Sequence, residues 1–463
     1  MGGGIYGMEE TRKKRVLSTT QTIVLSFLLA ILIGAFILML PISSAEGKFT
    51  SFIDAIFTAT TSVCVTGLVV VDTYAYWSTF GQVVILILIQ LGGLGVVTFT
   101  MTILMITGRR ITLKDRLLLE DAFNMDTMQG IIRFLRTVLK YTVLVEGIGA
   151  ILYMVYFVPE FGLKGIWYAV FTSISAFCNA GIDIIGPNSL MPYVDHVWIN
   201  LVTMFLIISG GIGFIVWRDV RQVLCRVRNQ EIPLKWMFQK LSLHSKLALV
   251  STAVFVLGGA VLFFVLEYTN PETIGNLSLK GKVLASFFQS VTTRTAGFAS
   301  IPQQELRNSS ILVSMVLMFI GGSPVGTAGG IKTVTVAVLI LTAISTAKGN
   351  RYVTAFRRTI PLITIRKALA VTMISFMMLG AGTILFSIVQ PGNFSDLAFE
   401  ITSAIGTAGL SRGFTSSLNL AGKVIICCYM YLGRVGPISM AIAFSFRGNK
   451  VVGVLPEERV TVG

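Results

Sequence analysis

Four short stretches of this 463-residue chain carry one pattern, a phenylalanine ten residues before a glycine, with small residues between and an apolar residue after. They run from Phe57 to Gly67-Leu68, Phe171 to Gly181-Ile182, Phe287 to Gly297-Phe298 and Phe399 to Gly409-Leu410. Successive glycines lie 114, 116 and 112 residues apart, so one unit is used four times. The chemistry such loops suit is cation dehydration. Taking a potassium ion out of water needs several oxygens aimed at one axis, and consecutive backbone carbonyls supply them where the chain stays extended. Keeping successive carbonyls on one side demands unusual backbone angles, which glycine adopts without steric cost. The candidate ligands are backbone carbonyls in four sets. Val63, Cys64, Val65, Thr66 and Gly67 form the first, and Phe177, Cys178, Asn179, Ala180 and Gly181 the second. Thr293, Arg294, Thr295, Ala296 and Gly297 form the third, and Ile405, Gly406, Thr407, Ala408 and Gly409 the fourth.

Uncovered backbone of this kind is tolerated at membrane depth only where it lines a water-filled path. The remaining sequence must therefore supply a membrane scaffold. With 54% hydrophobic and 13% charged residues, the composition is not that of a soluble protein. Uncharged runs recur at 16–45, 73–108, 197–217, 247–266, 308–331 and 368–395. Each has the roughly 20 residues that a helix needs to cross about 30 Å of hydrocarbon. The first is too long for the apolar core of a signal peptide. Segments 51–61, 167–176, 283–292 and 395–404 are too short to span and are expected as short amphipathic helices leading into the glycine loops.

Most of the 37 basic residues fall at 12–15, 109–140, 218–246 and 348–367 and in the C-terminal tail. The positive-inside rule makes these clusters and both termini cytoplasmic, so the chain crosses out and back between them. The expected fold is an all-α integral membrane protein with eight spanning helices. Its four tandem helix–pore loop–helix repeats, at 16–108, 137–220, 244–347 and 366–446, surround a pseudo-fourfold pore and precede a cytoplasmic tail, 447–463.

The third unit is irregular. Residues 309–347 would make a helix about 58 Å long at 1.5 Å per residue, nearly twice the hydrocarbon thickness. Midway stand Gly321, Gly322, Ser323, Pro324, Gly326, Thr327, Gly329 and Gly330, which will not hold a helix. The expectation is a break into two pieces around a polar loop that faces the axis below the glycines. A packing kink is the plainer alternative, but a kink needs only one or two such residues. Lys332 closes the loop, and Arg434 lies in the last apolar run. The clusters at 92–95, 210–213 and 433–436 share glycines that let helices approach closely. Arg434 takes the second glycine's place in its cluster. A buried arginine in a membrane must be paired or wet, so it is expected to donate to carbonyls of the 321–330 loop or to contact another helix. Asp54 and Asp396, each thirteen residues before a key glycine, fall in the first turn of a short helix, where a carboxylate complements the dipole. The opposite helix ends then direct negative partial charge at the loops. Glu146, alone in the second unit's first helix, is expected to make a packing hydrogen bond or to sit near a helix end.

On the four glycine loops, on LMLPIS at 38–43 and on GGSPVGTAGGIKT at 321–333, the chain resembles the Ktr/Trk family of bacterial potassium transporters along essentially its whole length. The resemblance implies four helix–pore loop–helix units around one pore, paired as a homodimer in the cytoplasmic (inner) membrane. It implies potassium uptake through the glycine filter, with the loop at 321–330, Lys332 and Arg434 as the gate. It also implies control by a cytosolic nucleotide-binding ring subunit. In this superfamily a serine at the first filter glycine goes with sodium permeation, so Gly67 favours potassium. Sodium is left open as a second ion, and cysteine in the first two loops departs modestly from the pattern.

Site chemistry of other kinds is not written in the chain. GGLG and GGIG lie inside apolar runs rather than between a strand and a helix, which removes a nucleotide-binding reading. His196 and His244 are isolated, and the five cysteines lack the neighbouring histidines or acids of a metal site. The expectation is no enzyme, no catalytic residues and no organic cofactor. The basic clusters are explained by topology rather than by nucleic acid, and they can also meet anionic lipid headgroups or an acidic partner. A secondary symporter with inverted repeats would put successive basic clusters on opposite sides, against the same-sense units here. A potassium-binding subunit of an ATP-driven pump remains the other alternative.

Overall fold

A computed structural model describes residues 18–107, 111–122 and 130–436. The basic cluster at 12–15, the arginines at 109 and 110, the end of the fourth unit and the tail 447–463 lie outside them. Four long helices, Thr19–Met39, Ile131–Phe161, Leu243–Glu267 and Leu362–Val389, are each long and apolar enough to cross a membrane. Side-chain caps set the starts of the first and third. The Ser18 hydroxyl accepts from the Gln21 amide at 3.2 Å while the Gln21 side chain accepts from the Ser18 amide at 3.1 Å. The Ser242 hydroxyl does the same for the Ser245 amide.

After each long helix comes a short one: Phe52–Cys64, Lys164–Phe177, Leu279–Thr292 and Phe394–Gly406. At 13 or 14 residues these are longer than the sequence suggests, yet about 20 Å is still too little to cross. Each packs on the long helix before it. Phe57, Phe171 and Phe399 are fully buried there. In the third unit Phe288 takes that place and Phe287 is only partly buried, so the sequence pattern is off by one residue. The hydrogen bonds show why. The amide before the glycine bonds the carbonyl five residues earlier at Thr66, Ala180 and Ala408, but four residues earlier at Ala296. The third loop is one residue tighter.

The helix after each glycine loop is broken in more than the third unit. Thr79–Leu94 meets Val96–Ile106 at a bend of 101°, and Val197–Gly211 meets Phe214–Arg228 at 96°. Gly95 and Gly213 make these breaks with φ of 85° and 94°, angles that any side chain would strain. Gly436 has φ 90° at the end of Leu420–Val435. The third unit's Asn308–Phe319 and Thr333–Ala347 are separated by a loop. That loop is the longest case of a break the first two units also make. Counting each bent pair as one, six segments are long and apolar enough to cross.

The packing is polar at the centre and apolar at the periphery. Val143, Val265, Phe376 and Ile388 expose more than three-fifths of their surface on the outer faces of the long helices. Thr61, Thr66, Ser175, Thr295, Ser403 and Thr407 are wholly inaccessible around the glycine loops. Such a distribution suits a hydrocarbon surround with the irregular backbone enclosed in protein.

Glycines at the first cluster position bring the later helix onto the short helix beside it. A β-carbon on Gly92, Gly210 or Gly433 would fall 2.0, 1.8 or 2.2 Å from the carbonyl oxygen of Val63, Phe177 or Ile405. Close approach between helices is thus the role of these glycines, as the sequence suggested, and the partner in each case is the last turn of the short helix. Gly433→Ala should therefore lower stability in detergent by about 1–3 kcal/mol, the usual cost of overpacking. Gly147→Ala, with nothing within 4 Å, should leave the melting temperature unchanged.

Candidate functional site

The four glycine loops meet. Around a closed circuit, a β-carbon on Gly67 would lie 2.5 Å from the Ala180 carbonyl oxygen, and one on Gly181 would lie 2.3 Å from that of Ala296. One on Gly297 would lie 3.2 Å from the Ala408 oxygen, and one on Gly409 2.0 Å from that of Thr66. Each glycine therefore faces the carbonyl that precedes the next glycine; at Gly67, Gly181 and Gly409 only hydrogen fits between them, and at Gly297 the fit is tight.

Backbone handedness alternates in all four loops. Gly67, Gly181, Gly297 and Gly409 have φ of 100°, 64°, 84° and 79°. Two residues earlier, Val65, Asn179, Thr295 and Thr407 have φ of 54°, 60°, 64° and 49°. The sequence pointed to glycine alone for the unusual angles. Valine and threonine in the left-handed region are outliers, and such strain persists only where the surroundings over-determine it. Those surroundings are visible. Thr61 accepts the Gly67 amide on its hydroxyl at 3.0 Å and the Thr66 amide on its carbonyl at 2.8 Å. Ser175 and Ser403 accept the Ala180 and Ala408 amides on their carbonyls at 2.8 Å. The Thr292 hydroxyl donates to the Phe298 carbonyl at 2.6 Å.

All four short helices point their C-terminal ends at this circuit, with no basic residue in any last turn. Their dipoles place negative partial charge there, a favourable setting for a cation. At their other ends Asp54 and Asp396 do sit in the first turn, and each is also paired. Lys423 meets Asp54 at 2.6 Å, tying the fourth unit to the first. Arg412 pairs with Asp396 and donates to the carbonyls of Gln303 and Gln304, tying the fourth to the third. Trp167 donates to Gln82 at 2.9 Å across the first and second units, and the Leu190 amide to the Ala299 carbonyl at 3.1 Å across the second and third. The circuit is clasped at every junction.

The loop between Phe319 and Thr333 runs against the same circuit. The Thr327 hydroxyl lies 3.0 Å from the Phe177 carbonyl and 2.7 Å from Asn179 Oδ1. Gly329 abuts Thr407, and Gly321 abuts Thr295. The amides of Ser323 and Thr327 donate to Gly211 and Gly210 at 2.8 and 3.2 Å. Lys332 donates to the Ala328 and Gly329 carbonyls at 2.7 and 3.4 Å. Arg434 donates to the Thr327 carbonyl, and also to Gly92 and Gly93 of the first unit. The anticipated contact of Arg434 with this loop is present, together with one to another helix. On the other side of the glycines lies a cavity of about 570 Å³ lined by all four of them and by Asp72 and Asp183.

The family model described as TrkH, cation transport protein, matches residues 6–451. The chain belongs to that family. It is 41% identical over 426 residues to Ktr system potassium uptake protein B of Bacillus subtilis, covering 92% of both chains. It is 38% identical over 461 residues to potassium/sodium uptake protein NtpJ of Enterococcus hirae, covering 97% of this chain and 99% of that one. The crystal structure of the potassium transporter TrkH from Vibrio parahaemolyticus shares the fold, with a TM-score of 0.74 at 15% identity over 94% of this chain and 86% of that one. As a TrkH-family protein with several apolar helices of crossing length, the chain is a multi-pass membrane protein.

Within this TrkH-family chain, Glu146 shows what a lone acid in a long helix does. Gln90 donates to its carboxylate at 3.2 Å, the Cys178 thiol lies 3.8 Å away, and the Ser173 hydroxyl donates to its backbone carbonyl at 2.7 Å. It makes the packing hydrogen bond expected of it, and that bond backs the second glycine loop. In the cavity beside the four glycines, burial pushes the Asp183 carboxyl up to about 6, and neighbouring Asp72 adds to the rise against the Ser189 hydroxyl donated at 2.5 Å. Above that pH the cavity gains a negative charge. Cation flux at low substrate concentration should therefore fall as the pH on that side drops through 6, and Asp183→Asn should remove this step in a flux–pH profile.

Proposed function

We propose that this chain carries potassium into the cell through the four glycine loops, which act as a selectivity filter. The observation that carries the reading is the closed circuit in which each glycine faces the carbonyl preceding the next. Converging carbonyls with no side chain between them can replace an ion's hydration shell, and four helix C-termini favour positive charge there. The filter backbone runs through Val63–Gly67, Phe177–Gly181, Thr293–Gly297 and Ile405–Gly409. Potassium is supported by the names of the relatives, and the name of NtpJ supports sodium as a second ion.

Four units of one plan, at 16–108, 137–220, 244–347 and 366–446, each cross the membrane twice, giving eight spans with both termini in the cytoplasm. The loop 321–330 is the gate. It lies against three of the four filter loops and is pinned by Lys332 and Arg434, whose charges also oppose a cation in the closed pore. Opening requires those carbonyl contacts to be exchanged. The basic helix Phe214–Arg228 and the hairpin bearing Arg357 and Arg358 suit docking of a nucleotide-binding ring subunit, and two copies of this chain share that ring in the inner membrane.

Rubidium uptake by proteoliposomes, with sodium as competitor, tests the reading. Wild-type protein should take up rubidium with weak inhibition by sodium. A serine at Gly67 would press its β-carbon on the Ala180 carbonyl at an already left-handed φ, and Gly67→Ser should raise the relative uptake of sodium. Absence of rubidium flux under every gating condition would sink the proposal, and unchanged selectivity in Gly67→Ser would remove the filter assignment. Arg434→Ala should raise flux in the absence of the ring subunit. Unchanged flux in that variant would remove Arg434 from the gate.

A further inference from the structure

We propose that a small monovalent anion, chloride under ordinary conditions, binds behind the second and third glycine loops on Arg294, Asn179 and Thr252. The inference rests on the filter reading above and concerns a site beside it rather than on the conduction axis.

Arg294 stands three residues before Gly297 and is only 6% exposed. Among the described residues its side chain joins no ion pair, and its Nε is buried with no hydrogen-bond partner. A buried guanidinium cannot shed its proton, so it requires a counter-charge or water. The same side chain lines a small cavity with Asn179 and Thr252, closed by Val291, Gly211 and Gly322. The space admits a single small ion or water molecule. Asn179 is 1% exposed and turns its Oδ1 to the Thr327 hydroxyl at 2.7 Å, which leaves Nδ2 without an acceptor. The Thr252 hydroxyl, 7% exposed, is also unpartnered.

Three unmatched groups thus share one cavity, and all of them can donate. A water could accept from Arg294 Nε and Asn179 Nδ2 and donate to the Thr252 hydroxyl, but it would leave the guanidinium charge uncompensated. A halide accepts from every donor and supplies the missing charge. Turning the Asn179 amide over would give Nδ2 to Thr327 and still leave the guanidinium charge uncompensated. An anion here has a direct consequence for transport. Without it a full positive charge sits beside the filter, raising the barrier to every cation that passes. With it the site is neutral, and the carbonyl field of the filter acts alone.

The test is rubidium uptake at a clamped membrane potential, with chloride replaced on both sides by gluconate, which is too large for the cavity. Uptake should fall several-fold in gluconate and be restored by bromide. Thr252→Val removes one donor without touching the filter and should raise the chloride concentration for half-maximal uptake several-fold. Arg294→Gln should give the same uptake in chloride and gluconate, whatever its absolute level. Crystals grown in bromide should show anomalous density between Arg294 and Asn179, a readout that needs neither variants nor transport. Equal wild-type uptake in chloride and gluconate, or no bromide density there, overturns the anion site and leaves the filter reading intact. Failure of rubidium uptake in every salt would instead count against the filter, while the bromide crystals still decide the anion site.

Discussion

Four stretches of backbone can meet on one axis only if nothing projects from them toward each other. That constraint governs the rest of this molecule. Gly67, Gly181 and Gly409 sit so near the carbonyl before the next glycine that a β-carbon is excluded, Gly297 leaves only a tight fit, and each of the four has a φ at which a β-carbon would be strained in any case. Converging carbonyl oxygens repel one another, so the circuit cannot hold itself together. It is held from behind, by loop amides bonded into the short helices and by clasps such as Lys423–Asp54 and Trp167–Gln82 across the junctions. The strained φ of Val65, Thr295 and Thr407 belongs to the same account, because outer packing must offset it.

A second consequence follows from the same closeness. To bring supporting helices against the last turns of the short helices, the chain needs glycine at Gly92, Gly210 and Gly433. Three residues further on another glycine turns the chain away, at Gly95 and Gly213, and Gly436 takes the same positive φ. One motif thus does two jobs, close approach and then departure. The loop at 321–330 extends this break, placing a longer run of backbone in the space below the circuit, where Gly210 and Gly211 carbonyls and the Thr327 hydroxyl fix it.

Much of this was legible in the sequence because it rests on periodicity and on glycine. The four-unit spacing, the short helices and the irregular third unit all follow from counting apolar runs and non-helical residues. Three features were hidden for physical reasons. Left-handed Val65, Asn179, Thr295 and Thr407 are not all of one residue type, and three of them are β-branched, since their conformation is imposed by the fold rather than by propensity. The tighter turn at Ala296 was masked because Phe287 and Phe288 are adjacent and either satisfies the pattern. The bends at Gly95 and Gly213 were hidden because an apolar run of crossing length reads as one helix whether or not a glycine within it takes a positive φ. Glu146 was readable as a hydrogen-bonding group but not as a brace for the second loop, because its partners are distant in sequence, Gln90 in the first unit and Cys178 in the loop beyond the next helix.

The departure from fourfold sameness lies in charge as well as in shape. At the second glycine of the cluster, Gly93 leaves space for Cys178, and Gly211 lies against Asn179 and Ala328. The fourth unit has Arg434 at that position, and a long side chain there cannot fold back onto its own loop, so it crosses the centre. It reaches carbonyls in the third unit at Thr327 and in the first at Gly92 and Gly93, holding one element to two others. Lys332 satisfies carbonyls within its own loop and makes that loop a compact body rather than a flexible strand. In the gate proposed above, a guanidinium joining the third unit to the first couples geometry to charge, since moving the loop aside and moving the positive charge aside become one event.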